Sequence, residues 1–166
     1  MRHFFKFTFA ANILLIAVSF FLLPSKTAMH FGIGGHPDSW GTKHMYVITF
    51  LLLEIPLFLL FLYSPTITLK SPPKLLNLSN KKYWLKKENQ SVLKEKMYSV
   101  MSEFGTAFFA FLFVVKLLTL EANRSDPVRL NERAFLSALI LFLIYTVYWC
   151  MKLFRTFRIP ENSSTT

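Results

Sequence analysis

The 166-residue chain is 53% hydrophobic and only 17% charged, with 19 phenylalanines and a mean hydropathy of +0.40. Soluble domains carry about a quarter charged residues, and the apolar residues here form long runs, so the composition predicts a single-domain integral membrane protein and excludes an ordinary water-soluble enzyme. The net charge of +10 is compatible with nucleic-acid binding. The distribution of the charged residues along the chain decides between that partner and a membrane.

The sequence lacks the common motifs of enzymatic chemistry. Its single cysteine, Cys150, excludes a disulfide within one chain and a multi-cysteine metal site. It contains no glycine-rich phosphate loop, no Gly-x-Ser-x-Gly elbow and no His-Glu-x-x-His pair. We therefore expect a protein without enzymatic activity, without a cofactor and without a dedicated metal site.

Four apolar stretches are long enough to cross a bilayer, whose core takes about 20 residues of helix. They cover residues 7–23, 45–63, 97–120 and 135–154. Pro24 is expected to end the first helix and Ser64–Pro65 the second, whereas the third is expected to begin earlier, as a polar helix from Ser91. The predicted fold is an all-α membrane protein with four transmembrane helices, a short external turn and a long cytoplasmic loop over residues 65–96.

The first span begins with Arg2 and Lys6, as a secretory signal peptide would. However, the charged residue Lys26 occupies the region in which signal peptidase requires small residues, so we expect an uncleaved helix. Asn12 lies inside this span and is expected to hydrogen-bond to a neighbouring helix.

The lysines and arginines set the predicted orientation in the membrane. Thirteen of the 19 lie at the N-terminus, in the loop over residues 65–96 or at the end of the fourth span, whereas five lie in the two other loops. Because cytoplasmic loops are enriched in these residues, both termini and the long loop are expected in the cytoplasm. The positive charge then serves topology and anionic lipid headgroups, and nucleic acid is not an expected partner.

The first external loop, residues 23–43, holds the most specific motif of the chain. His30–Phe31 follows the Leu23–Pro24 pair by six residues, and the motif continues with Gly35, Pro37, Asp38, Trp40 and Lys43. This spacing resembles the membrane family called domain of unknown function 1648, although Ala28 stands where the family commonly has a second proline. Family members include the N-terminal part of immunity proteins against a sporulation-delaying toxin.

The resemblance extends loosely into the second span, and Leu76–Leu85 in the long loop is similar to a signature of longer relatives. It implies a small polytopic protein of the bacterial inner membrane. It does not supply a reaction, because the family has no general assigned chemistry.

The loop residues are expected to form a compact anchored turn. Its glycines permit positive φ, Asp38 is expected to cap the backbone two residues on, and Trp40 and Lys43 suit the membrane interface. Two alternatives stay open for the polar residues. His30, His36 and Asp38 could ligate a metal ion, or a histidine could sense external pH.

Ionisable residues inside the spans are costly and therefore candidates for function. Glu54 lies near the middle of the second span, two residues before Pro56, where a kink could open a polar pocket; alternatively it is protonated, or hydrogen-bonded to a neighbouring helix. Lys116 could extend to the interface or pair with Glu54, from which it is offset by roughly 8 Å of helical rise. Glu54 and Lys116 are the candidate internal polar site, and Glu103 is expected at the cytoplasmic interface.

The long loop contains Tyr83–Trp84–Leu85 between two pairs of lysines. Aromatic residues among lysines are typical of a membrane surface, so we expect this segment to contact lipid, with RNA binding or docking of a partner peptide as alternatives. The tail, Glu161–Thr166, is expected to be disordered.

Three functional hypotheses follow from these residues. The leading one is a non-enzymatic module of the immunity or resistance type, which binds a membrane-active peptide or another membrane protein in the lipid bilayer. The second is a small proton-linked transporter in which Glu54 titrates and Pro56 lets the helix move. The third, a membrane enzyme, lacks a recognisable catalytic constellation.

Overall fold

The computed structural model describes residues 2–159 and is predominantly helical. Its long helices are α1 (Arg2–Leu22), α2 (Lys43–Lys70), α4 (Gln90–Arg124) and α5 (Glu132–Thr156), and α3 (Lys81–Trp84) is a single turn. Each long helix is apolar and long enough to cross a membrane, which confirms the predicted four-span fold. The tail that was expected to be disordered, Glu161–Thr166, lies outside the described residues.

Helix α4 is the centre of the bundle, because it packs against α1, α2 and α5. The helices run alternately up and down, so the bundle has two distinct ends. We call them the hairpin end, which carries residues 23–42 and the α4–α5 loop, and the lysine-rich end, which carries residues 71–89 and the end of α5.

The first loop contains a small β-sheet, which the all-α expectation misses. Strands β1 (Lys26–Phe31) and β2 (Pro37–Thr42) form an antiparallel hairpin in which Phe31 lies opposite Pro37. Gly34 and Gly35 reverse the chain with φ of 78° and 73°, which glycine adopts without a steric cost. We call residues 26–42 the hairpin.

Helix α2 does not end at Ser64–Pro65, and the prediction of a stop there is wrong. The helix continues to Lys70 through both Pro56 and Pro65. A proline inside a helix leaves the carbonyl four residues earlier without its N–H partner. For Pro65 that carbonyl belongs to Phe61, and the Ser64 hydroxyl donates to it at 2.8 Å, so the lost hydrogen bond is replaced.

The expectation that the third helix begins as a polar helix is confirmed, since α4 starts at Gln90. Glu103 lies on this helix, where its carboxylate meets α5. It accepts a hydrogen bond from Lys152 Nζ at 2.5 Å and from the Tyr145 hydroxyl at 3.3 Å. Trp149 of α5 adds a hydrogen bond from its indole N–H to the carbonyl of Val100 (2.9 Å). These polar contacts fix α5 on α4 near the lysine-rich end.

Helix α5 exposes most of its apolar side chains, as a helix against lipid does. Leu141, Ile144 and Val147 are each more than 60% exposed, and Cys150 is exposed on the same helix. Soluble monomeric proteins rarely expose an apolar surface of this extent. The exposed face of α5 is therefore the part of the bundle that most clearly requires a bilayer.

Trp84 is buried, so the prediction that it lies at the membrane surface is wrong. Only 1% of it is exposed, and it packs in an apolar cluster at the lysine-rich end with Leu93, Met97, Val100 and Phe157. Its indole N–H donates to the carbonyl of Phe157 at 3.0 Å. The segment before α4 is therefore folded onto the end of α5, and only the residues that flank Trp84 remain at the surface.

Candidate functional site

An asparagine of α4 holds the hairpin against the end of that helix. Asn123 accepts a hydrogen bond from the N–H of Ala28 (2.6 Å) and donates one to the carbonyl of the same residue (3.1 Å). Both residues are buried. The side-chain amide thus gives β1 the pair of hydrogen bonds that a neighbouring strand would give, which ties the position of the hairpin to α4.

The turn of the hairpin docks on the loop between α4 and α5. The N–H of Leu130 donates to the carbonyl of Gly35 at 2.8 Å, and a Cβ at Gly35 would overlap the carbonyl oxygen of Leu130. With its positive φ, Gly35 meets two requirements that only glycine satisfies together. The predicted motif residue therefore lies at a junction of two backbones.

Two charged side chains hold the neighbouring Gly34. The Glu132 carboxylate, at the start of α5, accepts from its N–H (3.1 Å), and Arg129 Nε donates to its carbonyl (2.9 Å). Neither residue stands out in the sequence, because each is an ordinary charged residue far along the chain from the motif. Their contribution becomes visible only when the fold brings α5 to the hairpin.

His30 and Asp38 face each other across the hairpin. His30 Nδ1 lies 2.6 Å from Asp38 Oδ1, and their side chains are 71% and 51% exposed. Asp38 therefore pairs with His30, and the expected backbone cap two residues on is replaced by this contact across the strands. Among the described residues, no three His, Cys, Asp or Glu side chains are grouped to hold a metal ion, so His36 does not join His30 and Asp38 in such a group.

Other motif residues lie where the hairpin meets the helices. Pro24 lies between α1 and β1. Trp40 is 43% exposed, and Lys26 Nζ lies 4.8 Å from its ring centroid. Lys43 Nζ lies 4.8 Å from the ring centroid of Phe20 on α1. The first of these cation–π contacts joins the two strands of the hairpin, and the second joins the start of α2 to the end of α1.

A groove with a volume of about 430 Å³ opens between the hairpin, α4 and α5. We call it the hairpin groove. Its floor is apolar, with Val115 from α4 and Phe135 and Leu136 from α5, whereas His30 and Glu132 add polar groups. Phe31 and Gly35 of the motif also line it. The groove is amphipathic, and it lies at the end of the spans, where lipid tails give way to headgroups.

The second candidate site is a buried ion pair inside the bundle. Lys116 Nζ donates to Glu54 Oε1, and neither side chain is exposed at all. Of the alternatives for Lys116, the structure shows the pair with Glu54 and not an extension to the interface. Lys116 Nζ also lies 5.3 Å from the ring centroid of Phe50. The pair joins α2 to α4 and leaves the bundle interior formally neutral at this depth.

Several buried polar atoms near this level lack a hydrogen-bond partner in the described part of the chain, including Glu54 Oε2, the Tyr46 hydroxyl and the Ser19 hydroxyl. Tyr46 precedes Glu54 by eight residues, or about 12 Å along α2 towards the hairpin end. The interior therefore stays partly polar from the pair towards that end.

A group of phenylalanines packs on the side of the Glu54–Lys116 pair that faces the lysine-rich end. Phe5 and Phe9 of α1, Phe58 of α2 and Phe109 of α4 form a stacked and edge-on group, in which Phe9 and Phe58 have ring centroids 3.9 Å apart. The predicted hydrogen bond from Asn12 to a neighbouring helix is confirmed here, because its Nδ2 donates to the carbonyl of Phe109 on α4 at 2.9 Å. This phenylalanine layer separates the Glu54–Lys116 pair from the lysine-rich end.

Comparison with known proteins identifies the segment that carries the motif. Residues 7–53 match the family model described as domain of unknown function 1648, which covers the hairpin with most of α1 and the first part of α2 and confirms the predicted resemblance. No curated protein and no solved structure matches the chain. The N-terminal part of this membrane protein, residues 7–53, is a domain of unknown function 1648.

Proposed function

We propose that the protein is a non-enzymatic, multi-pass protein of the bacterial inner membrane that binds a membrane-active peptide at its hairpin end. In this proposal the lysine-rich end lies in the cytoplasm and the hairpin faces outward. The excess of lysine and arginine at one end supports that orientation, because such residues are retained on the cytoplasmic side.

The observation that carries the proposal is the hairpin groove. Part of its wall consists of motif residues of the domain of unknown function 1648, whereas its floor consists of apolar side chains from α4 and α5. A groove with an apolar floor and a few polar groups is the usual architecture of a binding site for a small or elongated ligand.

A membrane-active peptide fits this chemistry better than a water-soluble one. Such a peptide is amphipathic and lies in the interface, with its apolar side against the acyl chains. It can present that side to Val115 and Leu136 while its polar side meets His30 and Glu132. Capture at the hairpin end would keep the peptide from reaching the bilayer, which is the action expected of an immunity or resistance protein.

The proposal is tested by filling the groove without removing a polar contact. Leu136 lines the groove and is 45% exposed, whereas Leu141 is on the same helix, is 68% exposed and does not line the groove. We expect Leu136→Trp to abolish binding of a fluorescent amphipathic peptide to the purified chain, and the matched variant Leu141→Trp to retain it. Equal binding by both variants, or no binding of any such peptide by the wild type, would contradict the proposal.

Proton-linked transport is the second candidate, because Glu54 is fully buried with Oε2 unpartnered and lies two residues before Pro56. A carboxylate with a free oxygen beside a proline can exchange a proton when the helix moves. We expect Glu54→Gln to abolish proton-driven uptake in proteoliposomes if this candidate is right. Absence of proton-driven uptake by the wild type would exclude it and leave the pair with a structural role.

A further inference from the structure

A shallow pocket at the lysine-rich end has lysines on its wall and apolar residues on its floor. Its volume is about 540 Å³; Lys81, Lys82 and Lys86 provide the cations, and Leu78 and Ile159 provide the apolar surface. No acidic side chain lines it within residues 2–159. The hairpin groove, in contrast, contains Glu132 and has no lysine among its lining residues.

The pocket is part of the folded structure because buried contacts hold its backbone. Trp84 and Asn80 both donate to the carbonyl of Phe157, at 3.0 Å and 3.1 Å. Asn80 adopts the left-handed conformation with φ of 56°, which asparagine tolerates better than most residues. The lysines that follow Asn80 are thereby fixed beside the end of α5.

Two of the three lysines are free to bind a ligand. Lys81 Nζ donates to the carbonyl of Pro73 at 3.1 Å. Within the described residues, the ammonium groups of Lys82 and Lys86 have neither an ion pair nor a hydrogen bond, and both side chains are exposed. Two unpaired cations at the edge of an apolar floor suit an anionic ligand that also carries apolar groups.

The pocket also lies at the edge of a membrane span. Helix α5 ends at Thr156, and Ile159, three residues later, lines the pocket with 44% of its surface exposed. Phe154, on the last turn of α5, is 64% exposed. A lipid headgroup at this boundary would reach the lysines while its glycerol and upper acyl carbons meet the apolar floor.

We infer that this pocket is a binding site for the phosphate headgroup of an anionic phospholipid. Lys82 and Lys86 contact the phosphate, and Leu78, Tyr83 and Ile159 contact the apolar part of the lipid. Each cationic residue near a membrane surface contributes measurably to the binding of anionic lipid. The site is separate from the hairpin groove, so its failure would leave the proposed function unaffected.

The test compares two double variants that lose the same charge. The detergent-purified full chain is titrated with short-chain phosphatidylglycerol, short-chain phosphatidylcholine or inorganic phosphate, and bound lipid is counted by native mass spectrometry. Lys82→Gln/Lys86→Gln removes the two free cations of the pocket. Lys70→Gln/Lys74→Gln is the matched control, because both of its lysines lie at the same end and neither lines the pocket.

We expect the wild type to prefer phosphatidylglycerol and the pocket variant to lose about thirtyfold in affinity for it, with the control nearly unchanged. Because all four lysines are surface residues, circular dichroism should show that both variants keep the helical content of the wild type. An equal loss in both variants would assign the effect to diffuse charge and overturn the inference. Equal binding of phosphatidylcholine, or displacement of the lipid by inorganic phosphate at the same concentration, would also overturn it.

Discussion

Removal of the ammonium group from the buried ion pair is the most informative perturbation of this structure. In Lys116→Met, a residue of similar length and no charge replaces a lysine with no exposed surface. Glu54, whose Oε2 already lacks a partner, then loses the Lys116 contact at Oε1 as well. Removal of one partner of a buried pair costs about 3–5 kcal/mol, because the remaining charge is uncompensated.

The double variant Glu54→Met/Lys116→Met separates the loss of charge from the loss of packing. It removes both ions and keeps side chains of similar volume, and such replacements are often neutral or stabilising by about 1–4 kcal/mol. We therefore expect the double variant to be at least as stable as the wild type and clearly more stable than Lys116→Met. A coupling energy of about 3 kcal/mol or more should result from the cycle.

The assay is the free energy of unfolding in mixed micelles, measured by circular dichroism as a denaturing detergent is added, for the wild type, both single variants and the double variant. A loss below about 1 kcal/mol in Lys116→Met would refute the claim that a charged pair is buried here. A double variant as unstable as the single variants would show that packing, and not charge compensation, decides the stability of this level.

Three further changes test the contacts that hold the two ends. Gly35→Ala should lose about 2–4 kcal/mol of unfolding free energy, because its Cβ meets the Leu130 backbone. Gly34→Ala has a similar φ but only the side chains of His36 and Arg129 nearby, so it should lose about 1–2 kcal/mol. Asn123→Ala should cost about 2–4 kcal/mol in the same assay, since it leaves the buried N–H and carbonyl of Ala28 without this hydrogen-bond partner. Trp84→Ala should cost about 3–5 kcal/mol and make residues 71–89 sensitive to trypsin. A stable Asn123→Ala, equal losses at the two glycines, or a trypsin-resistant Trp84→Ala would contradict these contacts.

The four spans are predictable from the sequence because their causes are local, whereas the buried pair is predictable only as one alternative. A run of apolar residues with the length of a bilayer core defines a span without any knowledge of its neighbours. Glu54 lies near the middle of its span and Lys116 in the outer part of its own, at an offset of roughly 8 Å, so the sequence predicts their contact only as one of two alternatives for Lys116; the structure shows that contact. The spans need no distant part of the chain, whereas the pair joins two helices and residues 62 positions apart.

The hairpin was not predictable as a sheet because distant residues hold it. Its backbone partners, Asn123 and Leu130, are 95 residues from Ala28 and Gly35. Glu132, which holds Gly34, is 98 residues away. The motif residues therefore mark the hairpin, whereas the surface on which it docks becomes visible only in the folded chain.

Two local rules failed where a hydrogen bond satisfied the group concerned. Pro65 did not end α2, because the Ser64 hydroxyl occupies the carbonyl that the proline leaves free. Trp84 is flanked by lysines, which is typical of an interfacial segment. Its indole N–H nevertheless donates to the carbonyl of Phe157, 73 residues away, and the ring lies in an apolar cluster. In both cases a side-chain hydrogen bond to a backbone carbonyl decides where the residue lies.

The most direct test of the proposed function is survival of cells under a panel of membrane-active peptides. Cells that express the wild type, Leu136→Trp, Leu141→Trp or Glu54→Gln are compared at matched protein levels in the membrane. The account predicts that the wild type and Leu141→Trp protect against at least one peptide, that Leu136→Trp does not, and that Glu54→Gln protects as long as it is folded. Absence of protection by the wild type against every peptide, or protection that survives Leu136→Trp and is lost in a folded Glu54→Gln, would contradict a binding function at the hairpin groove.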